Sequence, residues 1–188
     1  MALVFMTILL SSKDGFGQEK WEKESRINSE EVPVISLVFV DSLNFTRKVK
    51  WYREEGLAGV SIEAKSKKEG QKISVEFDST GNIEDIEIQV EWKTLSDGLK
   101  DRINTQLDQE CLRHKIQKVQ IQYSGEPTAL LNKMNNGNQS GAVKTNYELV
   151  IKCKTTDGVA LYEYLVSYEG QVIKRNKIIF KNASNLEY

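Results

Sequence analysis

The sequence predicts an α+β fold made as a tandem repeat of two units, each a helix packed on a four-stranded antiparallel sheet. Three observations predict it. Apolar and polar residues alternate with period two over successive short segments in both halves of the chain. Leu95, Leu99, Ile103, Leu107 and Cys111 recur every four residues, which marks a helix between those halves. The segments then return in the same order, the signature of an internal duplication.

The elements follow from the amino terminus. Ala2–Leu10 is apolar throughout, but a bilayer core needs roughly 20 helical residues, so the run is too short to span. It suits the core of a secretory signal peptide over residues 1–17, with Gly15-Phe16-Gly17 setting cleavage after Gly17 or Gln18. No Lys or Arg precedes the run, so a buried amino-terminal strand is the alternative. Residues 18–28 are densely charged and read as a mobile lead-in whose Trp21 docks on the body.

The first unit covers residues 29–92. Ser29-Glu30-Glu31-Val32-Pro33 opens a helix, with acids at its positive end and proline in the first turn. Val34–Leu43 is apolar on more than one face, so that helix should be well covered. Strands follow around Val49 and Trp51, then Val60, Ile62 and Ala64, then Ile73, Val75 and Phe77, then Ile86, Ile88 and Val90. Glu69-Gly70 and Asp78-Ser79-Thr80-Gly81-Asn82 are turns.

The second unit covers residues 93–181. Its helix runs from about Ser96 to His114, and its strands hold Val119 and Ile121, then Tyr147 to Cys153, then Tyr162 to Val166, then Val172 to Phe180. The last strand is offset by one residue from its counterpart, which predicts a bulge. An insertion at residues 124–146 carries a short helix near Leu130, Leu131 and Met134 and then a loop rich in Asn and Gly. Residues 182–188 form a tail.

One segment carries a family resemblance. Lys72-Ile73-Ser74-Val75-Glu76-Phe77-Asp78-Ser79-Thr80-Gly81-Asn82-Ile83 resembles the PepSY-type hairpin, a strand ending in an aromatic and then Asp-x-x-Gly-x-Ile. Tyr164–Val172 has the same shape with Ser167 in the place of Asp78. The stretch from about Glu30 to Phe180 is thereby similar to PepSY-like, putative beta-lactamase-inhibitor-like exported proteins of Bacteroidetes. That resemblance implies a periplasmic or secreted location and a tandem helix-on-sheet fold, and it implies no assigned activity.

Composition narrows the function. The 188 residues carry 26 Lys+Arg against 27 Asp+Glu, a net charge of −1, which argues against general nucleic-acid binding. One His and two Cys are too few for a multi-ligand zinc site or a His-based triad, so no cofactor and no catalytic residue are expected. His114 reads as a cation at the end of the second helix, and Cys111 falls on the apolar stripe, against a thiolate–imidazolium dyad. Cys111 and Cys153 should face one interface, where they form either a disulfide or two buried thiols. The Asp78–Asn82 turn lacks calcium-loop spacing, so no metal site is expected there. Glu76, Glu84, Glu87 and Glu91 alternate with apolar residues and read as a solvated sheet face.

The expected function is an exported, non-enzymatic binding module presenting sheet faces to a protein or peptide. The alternative is a proteinaceous inhibitor of a periplasmic beta-lactamase or peptidase. No span of the mature chain is expected to cross a membrane. The partner-binding candidates are Tyr52, Val150, Leu161 and Leu165, apolar or aromatic residues at polar-face registers, with the insertion loop as a rim. Residues 84–91 hold four acids and no base, and residues 174–181 hold four bases and no acid. That polarity either orients a partner or the units, or protects sheet edges.

Overall fold

Period-two alternation makes ten segments extended, and backbone pairing joins all of them in one sheet. The computed structural model describes residues 18–57, 59–137 and 142–179. The expected signal peptide and tail lie outside the described residues. The strands are β1 (Gln18–Lys20), β2 (Glu22–Ile27), β3 (Lys50–Gly56), β4 (Gly59–Lys68), β5 (Gln71–Asp78), β6 (Ile83–Val90), β7 (Arg113–Gly125), β8 (Val143–Thr155), β9 (Gly158–Ser167) and β10 (Val172–Ile178). The helices are α1 (Val34–Asp41), α2 (Asp97–Glu110) and α3 (Pro127–Asn136).

The expected pair of separate helix-on-four-strand units does not form. β6 pairs antiparallel with β7, from Ile86 opposite Tyr123 to Val90 opposite Val119. This pairing fuses both halves into one sheet of order β1-β10-β9-β8-β7-β6-β5-β4-β3-β2. The physical reason is the open edge. Left apart, β6 and β7 would each present a row of unpaired N–H and C=O groups, and pairing them satisfies both.

The charged stretch 18–28 is likewise not a mobile lead-in. β1 adds parallel to β10, and β2 adds antiparallel to β3. β1 and β2 therefore hold opposite edges of the sheet, although Trp21 alone separates them in the chain. One residue spans only about 3.8 Å, so the edges meet and the sheet curls almost into a barrel. Gly56 sits at this seam, where an added Cβ would come within 2.8 Å of the Trp21 carbonyl oxygen.

The helices lie on the convex side. Phe39, Val40 and Leu43 at α1 and Leu130 of α3 pack on Trp51, Ile62, Val75, Phe77 and Ile86. Leu99, Ile103 and Leu107 of α2 pack on Leu149, Ile151, Tyr164 and Val166. Directly paired residues share a face, and Ile88 opposite Ile121 joins the two clusters along one surface. The insertion helix α3 thus completes the first core, and residues 138–141 of the loop expected as a rim lie outside the described residues. It starts at Pro127, preset for a first turn, and stops at Gly137, whose φ of +67° suits glycine.

Three local expectations change. α1 buries one face only, leaving Val34, Ile35 and Val38 exposed at 74%, 56% and 61%. α2 ends at Glu110, and His114 belongs to β7, opposite Cys153, so it is no helix-end cation. Residues 84–90 form most of an interior strand between β5 and β7, which removes the edge-protection reading of their acids.

Asp78 Oδ1 closes the β5–β6 turn by accepting from the Thr80 and Asn82 backbone N–H groups at 2.8 and 3.0 Å. Ser36 Oγ of α1 donates to the Gly81 carbonyl at 3.1 Å and clasps this turn. Gly81 has φ +96°, and a Cβ there would meet Pro33 Cβ at 2.6 Å. The β9–β10 ladder shifts register between Val172 and Lys174. No helix among the described residues is long and apolar enough to cross a membrane.

Candidate functional site

The polar registers of the strands face the inside of the curl. Register brings like charges together there: Glu63 opposes Glu76, and Glu76 opposes Asp85. Carboxylates directly across a sheet repel, which ordinarily destabilises it. Glu87 lies two residues on from Asp85, and Glu54, Glu148 and Glu163 complete the acidic lining. The face expected to be solvated is therefore largely enclosed at its centre: Glu63 is 4% exposed and Glu87 3%.

Two lysines and two amides answer part of this charge. Lys20 Nζ meets Glu163 Oε2 at 2.6 Å and Glu22 Oε1 at 3.2 Å. Lys65 Nζ meets Glu63 Oε2 at 2.7 Å and also pairs with Glu24. Gln120 Nε2 donates to Glu87 Oε2 at 2.6 Å, and Gln122 Nε2 to Asp85 Oδ2 at 2.9 Å. Asn146 Nδ2 donates in turn to Gln122 Oε1 at 3.4 Å.

Burial and crowding raise the proton affinity of five acids in this lining, Asp85 and Glu87 among them. Burial, with Glu63 and Glu22 alongside, pushes Glu54 up to about 8 against the pull of Lys65. Burial, then Glu148 and Glu84, pushes Asp85 up to about 7. Glu76 and Glu87 stand well above the ordinary carboxylate range for the same reasons, burial first and neighbouring carboxylates second. Glu148 is raised as well. Lys20 stays charged because Glu163 and Glu148 outweigh the burial that opposes it.

Two cavities open on this interior. One, of about 550 Å³, lies at the seam between Lys20, Trp21, Glu54, Glu76, Glu163 and Asn176. The other, of about 540 Å³, is lined by Tyr52, Lys65, Ser66, Ser74, Gln89 and Gln120 and ringed by six further cations, Arg47, Lys48, Lys50, Lys67, Lys72 and Lys118. The strands gather these cations at one end, since Lys50 opposes Lys65 and Lys67 opposes Lys72. None of the six forms an ion pair among the described residues. The inside of the curl thus grades from basic at one mouth to acidic at its middle.

The four partner-binding candidates lie on this concave face and not on an open apolar patch. Tyr52 lines the basic mouth, half-buried, with Lys65 Nζ 4.9 Å from its ring centre. Val150, Leu161 and Leu165 are half-buried across β8 and β9, opposite Lys118, Lys152 and Glu148. Cys111 and Cys153 are joined by a disulfide on the convex side, which takes Cys111 out of any dyad. His114 Nδ1 lies 3.3 Å from Asp108 Oδ1. Sequence reasoning missed the enclosed carboxylates and the ring of cations. The available signal was Gln120, Gln122 and Asn146, three neutral amides at polar-face positions, suited to buried carboxylates more than to open water.

No family model matches the chain, and no curated protein matches it. The PepSY-like and beta-lactamase-inhibitor-like assignment therefore gains no support from these comparisons. Among solved structures, the fold is similar to that of a DUF2874 family protein from Bacteroides ovatus, at 11% identity and a TM-score of 0.53, covering 78% of this chain and 87% of that one.

Proposed function

We propose that the protein is an exported, non-enzymatic binding module that takes an acidic segment of a protein or peptide partner at its basic mouth. One observation carries this reading. Six cations, none in an ion pair among the described residues, surround a cavity of about 540 Å³ in a chain whose net charge is −1. Such segregation focuses a positive potential on an opening and steers anionic ligands to it. Tyr52 offers a ring face at the same mouth. Val150, paired with Lys118, places apolar surface beside the cations, so an acidic segment with an apolar residue fits better than a purely charged one. The Cys111–Cys153 disulfide supports export, because such bonds persist in oxidising compartments.

The test is binding of a fluorescent Glu-rich peptide, titrated at several salt concentrations, with a Lys-rich peptide as control. Wild type should bind the acidic peptide with an affinity that falls as salt rises. The double variant K50E/K72E alters two exposed side chains, should fold normally, and should lose at least about tenfold in affinity. Equal binding of both peptides, or an unchanged affinity in the variant, overturns the reading.

A further inference from the structure

We propose that the seam cavity binds a short alkyl diamine in its diammonium form, one end at Glu54 and Glu76 and the other at Asn176. The cavity measures about 550 Å³, within the roughly 300–1,000 Å³ of small-molecule sites. It lies where the edges of the sheet meet. Glu54 of β3 and Glu76 of β5 line it on one side of the seam, and Glu163 of β9 and Asn176 of β10 on the other.

Asn176 is the observation that points to a ligand. It is 7% exposed and lines the cavity, and it stands opposite Glu163 on the inner face of the sheet. Its Oδ1 is buried and meets no donor. The interior amides Gln120, Gln122 and Asn146 each donate to a neighbouring side chain, whereas Asn176 makes no such bond among the described residues. An enclosed oxygen costs free energy unless a donor meets it. An acceptor beside carboxylates selects a ligand that both donates and is positive. An ammonium is both, with three donors and no acceptor.

The interior already holds one ammonium. Lys20 Nζ lies 2.6 Å from Glu163 Oε2, and although burial opposes its charge, Glu163 and Glu148 outweigh that. Lys20 serves the β9 side alone. Across the seam, Glu54 and Glu76 form no ion pair among the described residues, and Glu54 shares a hydrogen bond with the Glu63 carboxyl. Burial and like charge raise the proton affinity of both, so an arriving cation takes the place of a proton. A single ammonium would answer one side only, and a diamine answers both. Leu57 and Val60 supply apolar wall for the methylenes between its ends.

The experiment is calorimetric titration of the full chain with cadaverine near pH 7.5 at low salt, with 1,5-pentanediol and a Lys-rich peptide in parallel. Wild type should bind one cadaverine with a Kd at or below about 1 mM. The diol keeps donors at both ends but carries no charge, and it should bind at least about tenfold more weakly. E54Q and N176L should each weaken cadaverine at least about tenfold while retaining the wild-type far-ultraviolet circular dichroism. E54Q relieves charge crowding and N176L removes an unanswered oxygen at similar volume, so neither should prevent folding. Absence of binding up to about 10 mM cadaverine overturns the proposal, as does unchanged affinity in the folded variants. Equal binding of the diol overturns the assignment to an ammonium. Displacement of cadaverine by the Lys-rich peptide overturns the assignment to a free diamine. Binding of the Glu-rich peptide at the basic mouth is a separate readout, so the two proposals stand or fall independently.

Discussion

Raising the pH from about 5 to about 7 should destabilise this protein, the reverse of what an ion-paired carboxylate produces. Glu54 and Asp85 start from ordinary values of 4.5 and 3.8 and rise in the fold to about 8 and about 7, mainly through burial. The unfolded chain releases both protons by about pH 5, whereas the folded chain retains them. The native state then binds more protons than the unfolded state, so stability falls as pH rises through this window. Each retained proton is worth about 1.4 kcal/mol per pH unit. The acids interact and titrate as a group, so the safe count is one proton for the cluster. That count gives a loss of about 3 kcal/mol over two pH units, and two protons would double it. Asp78, held low by bonds from Asn82 and Thr80, titrates below the window and does not offset the loss. Urea unfolding followed by tryptophan fluorescence across the window measures the slope. The E54Q/D85N double variant should reduce the slope, with Glu76 and Glu87 carrying what is left. A wild-type stability that stays level or increases toward pH 7 refutes the enclosed-carboxylate reasoning.

Two further predictions concern the convex side. Cys111 and Cys153 are 42 residues apart, and closing a loop of that length in the unfolded chain is worth about 4 kcal/mol on the chain-entropy model. The C111A/C153A variant should lose stability of that order in urea, and added reductant should change wild type but not the variant. Leu130 of α3 is fully buried in the first core, so L130A should cost about 2–5 kcal/mol, and a loss under about 0.5 kcal/mol would show that the insertion is not part of that core.

Much of the local structure was readable from residue order. Ile73, Val75 and Phe77 alternate with Ser74, Glu76 and Asp78 because a strand sends neighbours to opposite faces, and β5 follows that pattern. The Leu99, Ile103 and Leu107 stripe is the buried face of α2. The lead-in was not readable, because residues 18–26 hold few apolar residues to mark a buried face. β1 and β2 form because the edges of β10 and β3 offer backbone partners, and that demand is invisible in side-chain pattern.

The site was missed for a related reason. Alternation separates the two faces of a sheet but is silent on which face the sheet wraps around. Glu63 and Glu76 have the same parity whether they meet bulk water or one another. Closure at Trp21 decides the matter, since a curled sheet crowds the residues on its inner face. An enclosed acidic face is a costly outcome, and cheaper designs exist: Lys65 already shows one lysine serving two glutamates. Among the described residues no lysine pairs with Glu76, Asp85 or Glu87, while amides from Gln120 and Gln122 hold two of these side chains in place. Burial and neighbouring carboxylates raise the proton affinity of all three, so bound protons relieve there the repulsion that Lys65 relieves next door.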